Sequence, residues 1–210
     1  MKIGVVAATG RAARKVVKEA KERGFEVVAF ARNEAEIEGA DQVIVKDIFD
    51  LTKEDLNGFD AVVDAFGAWI PETLDQHSTT LTLLCDCLSG SNTRLLVMGG
   101  AGSLYVNPEH TACVADGPDF PDMFKPLANA MAKALGELRE RKDVHWTYIS
   151  PAGDFQADGE RTGAYILGGE ELTLNERGES IISYADYAIA MVDEIENGNH
   201  IQQRISVVRK

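Results

Sequence analysis

Apolar residues along the chain fall into short runs separated by turn-forming stretches. Ile3 to Ala7 is an apolar run long enough for a strand and too short for a helix. After a turn at Thr9-Gly10, Ala13, Val16, Val17 and Ala20 repeat at i, i+3, i+4 and i+7, which puts them on one helical face. Lys and Arg fill the opposite face, and Gly24 stands where a helix stops. Strand-like runs recur at Phe25 to Ala31, Gln42 to Lys46, Asp60 to Phe66, Thr93 to Met98, His145 to Ile149 and Arg204 to Val208. Helical spacing covers Pro71 to Leu88, Pro126 to Arg141 and Tyr184 to Glu196, and Pro71 is acceptable in a first turn.

Strand and helix therefore alternate throughout, and the middle strands are almost wholly apolar. Strands of that kind are buried on both faces, so the pattern predicts an α/β fold with a doubly wound, mainly parallel sheet. No repeat, low-complexity tract or linker interrupts residues 1–210, which read as one domain. Two looser stretches, 99–125 and 151–180, each follow a strand end, where such a sheet places its ligand. They are expected to form a small lobe on the substrate side.

Composition narrows the partners. The chain has 210 residues, 45% of them apolar, and a formal net charge of -13. That balance argues against nucleic acid and against an anionic membrane surface. The charge is uneven. Residues 1–32 hold eight Lys/Arg and three Asp/Glu, whereas the other 178 hold thirteen and thirty-one. No stretch reaches the roughly 20 apolar residues of a membrane span, and Met1 runs straight into a strand with no leader pattern. Cys85, Cys87 and Cys113 form no disulfide framework and read as thiols of a reducing cytoplasm. His77, His110, His145 and His200 show no metal-ligand spacing, so no metal is expected.

The most informative motif lies between the first strand and the first helix, Ala7-Ala8-Thr9-Gly10-Arg11-Ala12-Ala13. Small residues there permit a tight turn, close approach of a pyrophosphate to the backbone, and helix–strand packing. The helix start adds free N–H groups and a positive dipole end. Ala7, Thr9, Gly10, Arg11 and Ala12 are accordingly candidate cofactor contacts. An NAD preference usually shows as an acid at the end of the second strand. Arg32 stands there instead. Its planar fork suits a 2′-phosphate, and Arg11 at the mouth of the turn can reach the same group. Both point to NADP(H) over NAD(H). After the fifth strand, the glycines of Met98-Gly99-Gly100-Ala101-Gly102-Ser103 allow a ligand close to the backbone, making Gly99 and Gly100 candidates.

The turn resembles that of extended or atypical short-chain dehydrogenases, Gly-Ala-Thr-Gly-x-x-Gly, with alanine at two of the three glycines. Over nearly the whole chain the sequence resembles the NmrA-like group that includes NAD(P)H-flavin reductases and is related to biliverdin and flavin reductases. The marks are the Ala-Thr-Gly-Arg turn, Val97 to Leu104, Trp146 to Ala152, Arg161 to Tyr165 and Ser183 to Ala188. The resemblance implies further cofactor contacts: Asp47 and Ile48 near the adenine, Ala65, Phe66 and Gly67 along the ribose, and Pro151 and Ala152 beside the nicotinamide. Asp47 reads equally as a loop-capping carboxylate.

The usual proton donor of short-chain dehydrogenases, a Tyr with Lys four residues on, is missing. Tyr105, Tyr148, Tyr165, Tyr184 and Tyr187 are followed at that spacing by Glu109, Ala152, Gly169, Ala188 and Met191. A carbonyl substrate needs a positioned acid, whereas a flavin spreads charge over its ring system and depends less on one. The expected activity is therefore NADPH-dependent hydride transfer to a flavin-like (FMN, FAD) or other conjugated small-molecule acceptor, by a cytoplasmic monomer or homodimer. The other reading is a non-catalytic NADP(H)-binding redox sensor. Ser103 is the candidate catalytic residue, with loop hydrogen bonding as its bland alternative. His110 and Lys125 read as surface residues, Trp69 and Trp146 as packing residues, and Asp186 as a first-turn acid suited to the helix dipole.

Overall fold

The computed structural model describes residues 1–210. The strands are β1 (Lys2–Val6), β2 (Glu26–Ala31), β3 (Gln42–Val45), β4 (Ala61–Asp64), β5 (Arg94–Met98), β6 (His145–Ser150), β7 (Asp154–Gln156), β8 (Tyr165–Gly168), β9 (Ile181–Ser183) and β10 (Gln203–Arg209). The helices are α1 (Arg11–Glu22), α2 (Gln76–Leu88), α3 (Lys125–Arg139) and α4 (Tyr184–Asn197). Eight strands form one sheet in the order β3-β2-β1-β4-β5-β6-β10-β8. Every neighbouring pair in it is parallel except β10 with β8.

Strand alternation builds two cores. Ile3, Val5, Val27, Ala29, Ala61, Val63 and Leu96 point to one face of the sheet, where α1 and α4 lie. Val6, Val28, Phe30, Val62, Leu95 and Val97 point to the other, under α2 and α3. The stripe Ala13, Val16, Val17 and Ala20 is buried, and Gly24 turns the chain at φ +81. At the amino end of the strands, Arg94 donates to Thr147 Oγ1 at 2.6 Å and pairs with Glu194 at 2.7 Å. His200 Nδ1 lies 2.7 Å from the other Glu194 oxygen. This buried charge is used up in fastening α4 to the sheet.

The chain runs from β1 outward to β3, then returns across β1 to start β4. The crossover directions reverse between β1 and β4, and the carboxyl ends of the strands on either side open into a crevice. Three strands were not read from the apolar pattern, β7 and β8 within the loose stretch 151–180 and β9 just beyond it. β7 and β9 pair as a short ribbon, and β8 adds an antiparallel edge to β10. They are three or four residues long, so they carry too few alternations to stand out. The helix expected from Pro71 begins at Gln76, after a single 3-10 turn at Pro71–Thr73.

The glycine loop after β5 is tight for a reason internal to the protein. A Cβ on Gly99 would lie 2.1 Å from the Tyr148 ring, and one on Gly102 would lie 2.8 Å from Ala128 Cβ. The loop is thus wedged between β6 and α3, and this packing, besides any ligand, requires its small residues. Gly99→Ala is expected to destabilise by about 3 kcal/mol, the upper range for overpacking. Gly136→Ala, in a helical position with open space around it, is expected to stabilise by up to about 1 kcal/mol. Urea unfolding of the two variants checks both.

Candidate functional site

The loop after β1 makes an abrupt turn. Ala7 adopts φ +56, a left-handed conformation that costs an L-residue with a Cβ about 1 kcal/mol or more. The turn is closed by Gly10 N–H donating to Ala7 O at 3.2 Å and tied to β2 by Ala8 N–H donating to Phe30 O at 3.0 Å. Gly10 then caps α1 without a side chain, and the first helical turn contains no acid. The leading N–H groups of α1 are left for an external acceptor. In α4, by contrast, Ser183 Oγ accepts from Asp186 N–H at 3.0 Å.

A continuous cleft of about 1280 Å³ opens over these groups and along the carboxyl ends of β1 to β6. A small-ligand pocket is typically roughly 300–1,000 Å³, so this one has room for a dinucleotide and a second molecule. All fifteen predicted cofactor contacts line it: Ala7, Thr9, Gly10, Arg11, Ala12, Arg32, Asp47, Ile48, Ala65, Phe66, Gly67, Gly99, Gly100, Pro151 and Ala152. Arg32 is exposed and makes no ion pair or hydrogen bond. Glu34, two residues on, lines the same end. Arg11 reaches Asp158 at 2.8 Å, both side chains being largely exposed. The Asp47 carboxylate accepts from Phe49 N–H at 3.0 Å, so it also caps the short turn at Ile48–Asp50.

The other end of the cleft is apolar and aromatic. Trp69, read from the sequence as a packing residue, is 74% exposed and lines the cleft. Trp146 is the tryptophan in the core. Phe120, Phe124, Leu127 and Met131 line this end from α3 and the segment before it. Sequence reasoning missed this wall because 99–125 shows no period; the spaced Phe120 and Phe124 after a glycine loop were the available signal. Only 151–155 of the stretch 151–180 line the cleft. The remainder turns away to join the sheet edge at β8, so less of this stretch faces the cleft than expected.

Beneath the aromatic end lies a side pocket of about 20 Å³ walled by Asp64, His77 and Tyr148 among apolar neighbours. Asp64 ends β4, accepts from Phe66 N–H at 3.0 Å, and is pushed up to about 6 by burial. His77 Nε2 lies 3.1 Å from Ala68 O and 3.3 Å from Ala68 N, and burial holds its pKa down. Tyr148 hydroxyl accepts from Gly100 N–H at 3.2 Å, and burial pushes it up to about 12. A carboxylate closing the apolar run Ala-Val-Val-Asp was the sequence signal for Asp64.

Ser103 is not part of this arrangement. Its hydroxyl and carbonyl accept from the Arg204 guanidinium at 3.0 and 2.9 Å, and it does not line the cleft. Its hydroxyl is engaged in holding the loop to β10, in keeping with the structural alternative. His110 stacks on Tyr105 and pairs with Glu171 at 2.7 Å, and Lys125 pairs with Asp122 at 2.7 Å, both away from the cleft lining. Asp186 sits in the first turn of α4, fully buried, and accepts from Thr162 and Gly163 N–H at 2.9 Å each.

A parallel sheet opened at its switch point, with a small-residue turn leading into an uncapped helix, defines a dinucleotide-binding protein of Rossmann type. The chain belongs to the NAD(P)H-binding family, whose model matches residues 7–197. It is 44% identical to the uncharacterised protein YwnB of Bacillus subtilis (strain 168) over 210 residues, 99% of this chain and 98% of that one. Its structure matches that of a proposed NADH-flavin reductase from Streptococcus pneumoniae at TM-score 0.97 and 53% identity, covering all of both chains. It shares its fold with a wide-type short-chain dehydrogenase/reductase from Veillonella parvula, solved with NADP, at TM-score 0.72 and 17% identity over 99% of this chain and 94% of that one. No helix is long and apolar enough to cross a membrane.

Asp64 gives the site a pH signature. Its folded pKa is raised from 3.8 to about 6, so the folded state binds the extra proton between those values. That stabilisation is complete below about pH 4 and is lost as pH rises to about 6, amounting to about 3 kcal/mol. Asp64→Asn retains an acceptor for Phe66 N–H and removes the titration. The stability of the variant relative to the parent is expected to rise by about 2–3 kcal/mol between pH 4 and 6.5 and then level off, measured by denaturant unfolding across that range.

Proposed function

We propose that this protein is an NADPH-dependent oxidoreductase that reduces a flavin-like or other conjugated acceptor without a Tyr–Lys proton donor. The observation that carries the reading is the division of the cleft into an aromatic end and an end with an uncapped helix start and all of its Lys and Arg residues. The α1 N–H groups and the turn Ala7–Ala12 would hold the pyrophosphate, and Arg32 with Arg11 the 2′-phosphate. When bound, NADPH supplies a hydride from its nicotinamide C4, and a proton from water completes the two-electron reduction of the acceptor. The chain contributes orientation: Gly99, Gly100, Pro151 and Ala152 form the floor, and the aromatic wall leaves space above it for a flat acceptor.

The tyrosines of the cleft support this chemistry. Tyr148 and Tyr184 are the two that line it or its side pocket. Tyr148 is a poorer acid than an ordinary phenol, and its oxygen already accepts from Gly100. Tyr184 packs on Phe155 at 4.2 Å between ring centroids. Lys46, at the end of β3, is the one lysine lining the cleft, whereas an alcohol or ketone reaction draws on a positioned acid. The flavin named for the Streptococcus relative fits an acceptor that needs no such group.

Two measurements test the proposal. Steady-state NADPH oxidation should be accelerated by at least one member of a panel of flavins, quinones and tetrapyrroles. Saturable NADPH binding with no acceptor turning over would overturn the reductase reading and leave a nucleotide-binding regulatory protein. For cofactor choice, Arg32→Ala is expected to weaken NADPH by about 10-fold or more, the loss of one charge-assisted contact, and NADH by less than about 2-fold. An unchanged ratio of the two dissociation constants would remove the 2′-phosphate role.

A further inference from the structure

We infer that the acceptor end of the cleft selects uncharged planar ring systems and discriminates against acceptors that carry phosphate or carboxylate groups. This rests on the oxidoreductase reading and names the substrate class of that same site.

Charge is distributed unevenly along the cleft. The acceptor end is built from 64–76 after β4, 98–131 after β5, and 150–155 after β6. Together these segments contain eight Asp or Glu residues, one Lys and no Arg. The lone Lys125 pairs with Asp122 and does not line the cleft. Among the cleft's lining residues every Lys and Arg (Arg11, Arg32 and Lys46) lies at the ends of β1, β2 and β3. The one exposed charged side chain lining the acceptor end is Asp154, whose carboxylate accepts only from Gln156 Nε2, at 2.9 Å. Buried Asp64 lies beneath that end and adds negative charge above about pH 6.

An anionic group here would find no guanidinium or ammonium on the wall and would face like charge, which disfavours binding. A neutral ring finds the opposite. Trp69, Phe120 and Phe124 offer exposed or half-exposed faces to stack on, and Leu127 and Met131 extend the apolar surface. Trp69 is followed by Ile70, and both are exposed on the lining of the cleft. The same isoalloxazine ring comes in three charge states, so flavins separate ring recognition from charge. Riboflavin is uncharged, FMN carries one phosphate and FAD a pyrophosphate.

The test titrates riboflavin, FMN and FAD into the full-length protein loaded with NADP+, reading flavin fluorescence, at low and at high salt. Riboflavin is expected to bind about 10-fold or more tighter than FMN at low salt. Because the discrimination is repulsive, screening at high salt should narrow the ratio. Trp69→Ala should weaken riboflavin and FMN alike, leaving the ratio in place, since it removes stacking surface and no charge. FMN or FAD binding as well as riboflavin, or no riboflavin binding, overturns the proposal. NADPH oxidation measured on the same samples separates the two claims. Selective riboflavin binding without turnover supports the uncharged-ring pocket while removing the reductase reading.

Discussion

A parallel sheet cannot leave either face in water, and most of this molecule follows from that constraint. Its strands join only through crossovers, so each return trip supplies a helix to cover a face. The apolar residues alternate between the two cores, with α1 and α4 over one and α2 and α3 over the other. With both faces dry, polar chemistry is confined to the strand ends. At the amino ends, charge is paired internally: Arg94 pairs with Glu194 and donates to Thr147, and His200 meets the other Glu194 oxygen. At the carboxyl ends it is left open: Arg32 has no partner, and α1 starts with no cap. The same kinds of groups are fastenings at one end and a binding surface at the other.

The first turn shows what the open end costs. Glycine would occupy the left-handed conformation of Ala7 without strain, yet alanine stands there. The turn persists because its neighbours fix it, through Ala8 to β2 and Gly10 to Ala7. The methyl group does not remove Ala7 from the cleft, which it lines. Strain of this kind held by surrounding structure is typical of functional segments. The Gly99–Gly102 loop is the complementary case. There the small residues are demanded by Tyr148 and Ala128, and the ligand-facing surface is a by-product of that packing.

Long buried strands and amphipathic α1 were legible in the sequence because each repeats its pattern over a full element. The turn end of the cleft was legible for a similar reason: its lining is local, carried by a turn and by residues at strand ends. The aromatic end was not, because its wall is assembled from segments far apart in the chain. Trp69 and Phe124 acquire a common role only once β4 and α3 are neighbours. Ser103 shows the converse. A serine after a glycine loop suggests chemistry locally, but Arg204 lies 101 residues away in sequence and takes its hydroxyl. Strands β7, β8 and β9 escaped notice because three or four residues cannot display a period.

The segment after β7 is tied across α1. It crosses α1 at two places, Asp158 on Arg11 and Arg161 on Glu19, and is bound at Thr162 and Gly163 by Asp186. These ties are unequal. Asp186 is fully buried, accepts two backbone N–H groups and the Thr162 hydroxyl, and cannot be released without leaving a buried carboxylate unpaired. The Arg11–Asp158 pair is exposed on both sides, and pairs of that kind add little to stability. The segment is therefore held by Asp186, and Arg11 is free to exchange Asp158 for a phosphate with little structural loss. Arg32 is available because nothing holds it, and Arg11 because what holds it is weak. The cationic end of the cleft can thus take an anion without breaking any contact on which the fold depends.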